Sequence, residues 1–277
     1  MFQKLNADKY NALFHQINKS SPLKILNVPG NNLSKVNPEL FGSAVSKLTS
    51  VDLNDTNVSR EMLTNLFDKI SRVTADTMSP LRCLNIAHNN ELKHVNPDLM
   101  ASALCQLETI NIKMTSISET HVSRLLETRV SSDTSPLVHF NMAGVVNLSK
   151  VDPDLLATFL TKLKEATIYA TKLTPMQLTH TLQTLTASDH NLSLLDIGGS
   201  NFSSIPPNLI SDGIKNIENV NLYFTKLTTN QKIHILQHGV LDNSSKLKHL
   251  DMGGNTSNIP EYLLDMTKNM SKIVKMD

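Results

Sequence analysis

Apolar residues along the chain follow one recurring spacing, Leu-x-x-Leu-x-Leu, which occurs nine times. One series of these motifs starts at Leu23, Leu81, Leu137, Leu192 and Leu247, and a second at Leu48, Leu107, Leu163 and Ile217. The two series alternate, so that a short repeat of 25 or 26 residues precedes a longer one of 29 to 33. A period in this range is typical of a solenoid, in which each repeat buries its apolar face against its neighbours.

Each motif ends in an alternation of apolar and polar residues, as in Leu26-Asn27-Val28, which predicts a short strand. Strands of successive repeats are expected to pair in parallel, because the connections between them run outside the sheet. The polar residue between the two apolar ones should then lie on the open face of the sheet. None of the nine residues in this row is apolar: Asn27, Asp52, Asn85, Asn111, Asn141, Thr167, Asp196, Asn221 and Asp251.

A second row of polar residues follows the strands and is predicted to be structural. Long repeats have Thr at this position, namely Thr56, Thr115, Thr171 and Thr225. Short repeats have Asn31, Asn89, Ser200 and Asn255, with Val145 as the exception. A buried polar side chain here would satisfy backbone groups where the chain turns out of the strand. We call these two sets the ladder residues.

Helix starts are marked between the strands. Asn37-Pro38, Asn96-Pro97 and Asp152-Pro153 each place an N-cap residue before proline in a short repeat. In long repeats, capping boxes begin at Thr174 and Thr228. The connections are therefore predicted to be mostly helical.

These strand motifs, ladder residues and helical connections resemble those of the ribonuclease-inhibitor-like class of leucine-rich repeat proteins, in which two repeat types alternate. The resemblance covers roughly residues 5–277 and departs from that family's best-known member, which is cysteine-rich, because this chain has two cysteines. It implies an α/β fold: a right-handed horseshoe-shaped solenoid with a concave parallel sheet and a mostly helical convex side.

The repeats predict a single domain over residues 1–277. Residues 1–22 would form a helical half-repeat at the N-terminal end, 23–269 nine repeats, and 270–277 an incomplete last repeat. Two interpretations of these ends remain open: a fragment of a longer repeat protein, or a short solenoid with irregular ends.

Composition excludes several classes of function. The net charge of +1 gives no basic stripe for nucleic acid, and no apolar run is long enough to insert in a membrane. No catalytic motif, metal-spaced cluster or phosphate-binding loop occurs, so we expect no enzyme activity, metal or cofactor. Without an N-terminal signal sequence we expect a cytoplasmic protein with reduced thiols, and a secreted one only if a leader has been removed.

The candidate binding residues lie at the strand-exit positions, which we define as the two residues after the strand motif of each long repeat. They are Asn54-Asp55, Lys113-Met114, Tyr169-Ala170 and Tyr223-Phe224. In a chain with four Tyr and no Trp, two Tyr, a Phe and a Met in equivalent positions are a concentration of residues typical of protein interfaces. The alternative is that they pack on the next repeat and seal the edge of the core.

The resulting hypothesis is a non-enzymatic module that binds a protein or peptide on its concave face. Its candidate residues are Lys113, Met114, Glu165, Tyr169, Glu218, Tyr223 and Phe224. The resemblance also fits the sensor part of a larger cytosolic receptor. Two other hypotheses stay open: a structural, self-assembling scaffold, and an inhibitor of a partner enzyme. Accordingly the chain would be a monomer or an end-to-end dimer.

Overall fold

The computed structural model of the chain describes residues 6–72, 79–145, 147–254, 257–268 and 273–275. It divides into two compact units, Met1–Val145 and Val146–Asp277, which are described separately. In both units a three-residue strand alternates with a helix along the chain. The single domain expected from the repeats stays a prediction.

The first unit begins with helix α1, in the segment predicted to be a helical half-repeat. Its elements are α1 (Ala7–Ser20), β1 (Ile25–Asn27), α2 (Pro38–Val45), β2 (Ser50–Asp52), α3 (Arg60–Ser71), β3 (Cys83–Asn85), a 3₁₀ turn (Asn90–His94), α4 (Pro97–Leu104), β4 (Thr109–Asn111), α5 (Glu119–Ser131) and β5 (His139–Asn141). The strands pair in parallel in chain order, with Leu26, Val51, Leu84, Ile110 and Phe140 in register and buried.

The second unit repeats this plan. Its elements are a 3₁₀ turn (Leu148–Lys150), α6 (Pro153–Thr161), β6 (Glu165–Thr167), α7 (Pro175–Ala187), β7 (Leu194–Asp196), α8 (Pro207–Ile214), β8 (Asn219–Asn221), α9 (Thr229–Ile235), a π-helical turn (Leu236–Val240), β9 (His249–Asp251), α10 (Glu261–Lys268) and β10 (Ile273–Lys275). Strands β6 to β10 are also parallel and in chain order.

Helix starts follow the sequence prediction. Asn37, Asn96 and Asp152 accept hydrogen bonds from backbone N–H groups of the first turn, each just before a proline. Capping boxes form at Thr174 and Thr228. The predicted caps are therefore confirmed. The sequence could predict them because each cap depends only on residues within one turn of the helix.

Each unit is thus a stack of strand–helix repeats with a parallel sheet on one side, which confirms the predicted fold class, an α/β leucine-rich repeat solenoid. The two repeat types also differ in structure, since the helices of short repeats have 8 or 9 residues whereas α3, α5 and α7 have 12 or 13. One detail of the prediction is wrong: β1 ends at Asn27 rather than Val28, although the Val28 N–H still donates to the Asp52 carbonyl of β2.

Candidate functional site

The threonine ladder residues are buried and bonded to the backbone. Thr56, Thr115, Thr171 and Thr225 are each at most 2% exposed. Their Oγ1 atoms donate to the carbonyl three residues earlier: Leu53, Ile112, Ile168 and Leu222, at 2.5–2.7 Å. These side chains fix the turn out of each long-repeat strand and are not accessible to a ligand.

The asparagine ladder residues are less uniform. Buried Asn89 donates to the carbonyls of Leu53, Ile86 and Ala87 and accepts from the N–H of Val58, so it joins two repeats. Half-buried Asn31 donates to the carbonyls of Val28 and Pro29. At the equivalent position the buried Ser200 hydroxyl has no partner among the described residues. The remaining ladder residue, Asn255, lies outside the described residues.

The polar row on the open face has a structural role that the sequence pattern did not reveal. In seven of nine repeats its side-chain oxygen accepts a hydrogen bond from the backbone N–H two residues later, at 2.8–3.1 Å. This is the geometry of an Asx turn. In β1 the bond cannot form, since the residue two positions after Asn27 is Pro29, which has no N–H. The row therefore starts the strand-exit turn.

In all nine repeats the third residue after the polar row has a left-handed backbone conformation, including the two repeats without the Asx hydrogen bond. Short repeats place Gly there four times, at Gly30, Gly144, Gly199 and Gly254, with φ between +64° and +76°. The other repeats adopt the same conformation without glycine, at Asp55, His88, Met114, Ala170 and Phe224, with φ between +53° and +58°. A side chain in this conformation costs about 1–2 kcal/mol relative to the ordinary helical conformation, whereas glycine pays almost nothing.

Phe224 is the most exposed of the large apolar side chains in the described residues, at 65%, and Met114 is 50% exposed. An exposed benzyl group adds little buried apolar area to the fold, and it does not relieve the strain of the left-handed backbone. Because four other repeats have Gly at this position, an exposed ring there is a reason to look for a binding role. The first residue of the same pair, Tyr223, is half-buried and lies against Phe224, with ring centroids 4.0 Å apart.

The two strand-exit tyrosines pack on glycines of the following repeat. A Cβ on Gly198 would stand only 2.7 Å from Cδ2 of Tyr169, and one on Gly253 would clash with Cδ2 of Tyr223. These rings therefore do seal the edge between neighbouring repeats, which is the alternative that the sequence left open for them. The signal was present in the sequence, because a glycine follows at the equivalent position wherever the long repeat has Tyr. Among the described glycines, none has an atom of Phe224 among the nearest neighbours of its Cβ position.

The other candidate residues are distributed over both units. Lys113 and Met114 lie in the first unit and are exposed, and the Met114 sulfur lies against Gly144. Glu165 is exposed at the start of β6. Glu218 forms a surface ion pair with Lys248, Oε1 to Nζ 2.8 Å. Of these candidate residues, Tyr223 and Phe224 lie together around a cavity.

This cavity, which we call the exit cavity, has a volume of about 520 Å³ and lies beside the strand-exit turn of β8. Tyr223, Phe224 and Met252 give it an apolar lining, and Gly253 and Gly254 also line it. Two lysines, Lys226 and Lys232, also line it, and no Asp or Glu is among its described lining residues. The cavity therefore combines exposed aromatic surface with positive charge.

Lys232 was missed by the sequence analysis. It occupies the fourth helical position after the N-cap Thr228, where the other long repeats have Leu63, Val122 and Leu178, all fully buried. Lys232 is also buried, at 6% exposed, and its Nζ donates to the Gly253 carbonyl. Burial lowers the pKa of this ammonium group. Aligning the capping boxes Thr174-x-x-Gln177-Leu178 and Thr228-x-x-Gln231-Lys232 would have revealed the exception.

A second cavity, of about 340 Å³, lies on the open face of the second unit's sheet. Asp196, Asn221 and Asp251 stand side by side there on paired strands, and His249 Nδ1 is 2.7 Å from Asn219 Oδ1. Burial raises the pKa of Asp196 and the Asp251 charge adds to this, against hydrogen bonds from Gly198 and Asn221 that lower it. The carboxylates of Asp196 and Asp251 both accept hydrogen bonds from backbone N–H groups of the strand-exit turns, so we assign them a structural role.

The described residues of the two units present no arrangement typical of a metal site. Within the described ranges, no group of three or more His, Cys, Asp or Glu side chains could hold a metal ion. In the same residues, no helix is long and apolar enough to cross a membrane.

No protein-family model and no curated protein matches this chain. Among solved structures, it is similar to a chain of the yeast Rad7–Elc1 complex, at 14% identity and a TM-score of 0.45, over 90% of this chain and 71% of that one. It is also similar to a chain of the Drosophila Toll–Spatzle complex, at 14% identity and a TM-score of 0.49. That match covers 95% of this chain and 38% of the other.

Proposed function

We propose that this chain is a non-enzymatic recognition module that binds a protein or peptide at the strand-exit turn of β8. The proposed contact surface consists of Tyr223, Phe224 and Lys226, which surround the mouth of the exit cavity. The observation that carries this proposal is the combination of exposure and positive φ at Phe224. Because the fold accepts Gly at the equivalent position of four other repeats, the ring at 224 is not required by the turn.

A protein partner fits this surface better than a small polar ligand. An exposed Phe beside a half-buried Tyr offers a large apolar area with a polar tip, which is the composition of interface hot spots. Tyr223 is held by its contact with Gly253, so this part of the surface is preformed and the Tyr223 side chain loses little entropy on binding. Tyr169 shares the same packing, and its neighbour Ala170 presents no ring, which makes the β8 turn the centre of the proposed site.

We also propose membership of the ribonuclease-inhibitor-like class and a cytoplasmic location. The alternation of short and long helices, from α2 to α8, supports the first assignment. Cys83 and Cys105 are both free, which supports a reducing compartment. The chain would then act by surface complementarity, with no bond made or broken.

The proposal is tested by affinity capture from a lysate of the source organism, with captured proteins quantified by mass spectrometry. Wild type is compared with Phe224→Ala and with Met176→Ala, a control on helix α7 of the same unit that is 60% exposed. We expect at least one protein to be retained by wild type and Met176→Ala and reduced tenfold or more by Phe224→Ala. Equal retention by all three proteins, or no specific retention at all, would contradict the proposal.

A further inference from the structure

The exit cavity contains a lysine at a position that is apolar in the other long repeats. Leu63, Val122 and Leu178 fill the equivalent position of the other long repeats and are fully buried. Burying an ammonium group is unfavourable unless it gains strong partners. The lysine at 232 therefore needs an explanation that the repeat itself does not supply.

The described surroundings satisfy only part of the hydrogen-bonding capacity of Lys232. An ammonium group has three N–H donors, and one of them is used by the carbonyl of Gly253. No carboxylate forms an ion pair with Lys232 in the part of the chain that the structure describes. The side chain thus brings a positive charge and unused donors to the wall of the cavity.

The glycines beside Lys232 leave space around its ammonium group. Gly253 and Gly254 both have positive φ and both line the cavity. A Cβ on Gly254 would stand 3.1 Å from Nζ of Lys232, so any side chain there would crowd the ammonium group. Phe224 and Tyr223 add an apolar surface to the lining of the same cavity.

We propose that the exit cavity binds a carboxylate of a peptide segment, with Lys232 as the buried cation, Lys226 at the rim, and Phe224 and Tyr223 against an adjacent apolar side chain. This inference rests on the proposed function and specifies its ligand chemistry. A single buried ammonium group beside aromatic rings suits one carboxylate next to an apolar residue. The carboxylate belongs either to an Asp or Glu side chain or to a peptide C-terminus.

Peptide probes distinguish these sources. Three tripeptides are titrated into the ¹⁵N-labelled full chain by NMR: Ac-Leu-Glu-Phe-amide, its neutral match Ac-Leu-Gln-Phe-amide, and Ac-Leu-Gln-Phe with a free C-terminal carboxylate. We expect one or both acidic probes to shift the amide signals of Gly253 and Gly254 and to bind at least ten times more tightly than the neutral probe. Whichever acidic probe does so identifies the source of the carboxylate.

Lys232→Leu is the decisive variant, because leucine is the residue of the equivalent position in α7 and should fold there. We expect it to bind the acidic and neutral probes with equal affinity. Lys226→Gln, which leaves the buried cation in place, should reduce the preference for acidic probes by no more than about threefold. A wild type that does not discriminate between the probes, or binds none of them, would overturn the proposal, as would a preference that survives in Lys232→Leu.

The capture experiment separates this inference from the proposed function. A partner that is lost by Phe224→Ala but retained fully by Lys232→Leu would leave protein recognition standing and overturn the carboxylate site. A partner that is lost by both Phe224→Ala and Lys232→Leu supports both the recognition function and the carboxylate site. If no partner depends on Phe224, the recognition function itself fails, whatever the probes show.

Discussion

The ring of Tyr223 occupies the space beside Gly253 in which a Cβ atom would stand, so the aromatic residue of one repeat requires a glycine in the next. The three atoms closest to that position all belong to the Tyr223 ring. Tyr169 and Gly198 form the same relationship one pair of repeats earlier. This packing positions the exposed residue that follows each tyrosine and thereby shapes the proposed surface.

Gly253→Ala is expected to destabilise the protein by about 2–4 kcal/mol, from the clash with the ring and from the positive φ of +51° at this residue. In a Tyr223→Ala background the clash disappears and only the backbone cost of about 1–2 kcal/mol should remain. Chemical denaturation of the four proteins of this double-mutant cycle measures the difference. Equal costs in the two backgrounds would show that the ring and the glycine are not coupled.

Phe224→Gly is expected to change the free energy of unfolding by less than about 1 kcal/mol. Relief of the left-handed backbone gains about 1–2 kcal/mol, while the freer unfolded chain and the lost contact with Tyr223 together cost a similar amount. Ala170→Gly is the matched control, since it has the same backbone conformation and no ring. A loss of more than about 2 kcal/mol at Phe224 alone would mean that the ring is part of the core edge.

Thr171→Val is expected to cost about 1–3 kcal/mol, because it removes the 2.7 Å bond from Oγ1 and leaves the Ile168 carbonyl without that buried partner. Thr186→Val removes a similar bond, 2.8 Å to the Leu182 carbonyl, from an exposed helical position where water can replace it. Thermal or urea denaturation compares the two. Equal effects would refute a special role for the buried ladder residues.

Lys232→Leu is expected to raise stability by roughly 1 kcal/mol at pH 7, where the buried ammonium group is unfavourable. Burial lowers the pKa of Lys232 in the folded state, so the unfolded chain holds this proton more tightly. Wild-type stability should therefore rise relative to the variant as the pH increases through the folded pKa towards the ordinary lysine value near 10.4, and then stay level. Urea denaturation at pH 7, 8, 9 and 10 should show that the difference in free energy of unfolding between Lys232→Leu and wild type becomes smaller. A constant or growing difference would contradict a lowered pKa for Lys232.

Local patterns made most of the fold predictable. The leucine motifs, the N-caps such as Asn96, and the capping boxes at Thr174 and Thr228 depend on residues within a few positions of one another, and all are present in the structure. The Asx turns were not predicted because a polar residue on an open sheet face is equally compatible with simple hydration. The π-helical turn after α9 has no evident sequence signal, and the structure gives no physical account of it.

The candidate site was only partly predictable because its features depend on contacts between repeats. Equivalent positions identified Tyr223 and Phe224 in the sequence, but the repeats were not compared for the glycine that distinguishes the packed Tyr223 ring from the exposed Phe224 ring. Lys232 was not singled out in the sequence, because its position becomes informative only when it is aligned with the buried Leu63, Val122 and Leu178 of the other long repeats. Comparing equivalent positions across repeats, rather than reading each repeat alone, would have found both features.

The most direct test of the central claim is the capture of partner proteins by Phe224→Gly, because this substitution removes the ring and relieves the backbone together. We predict that the variant melts at the wild-type temperature or slightly above it and loses the partners that Met176→Ala retains. A variant that keeps those partners, whatever its melting temperature, would contradict the assignment of the strand-exit turn of β8 as the recognition site.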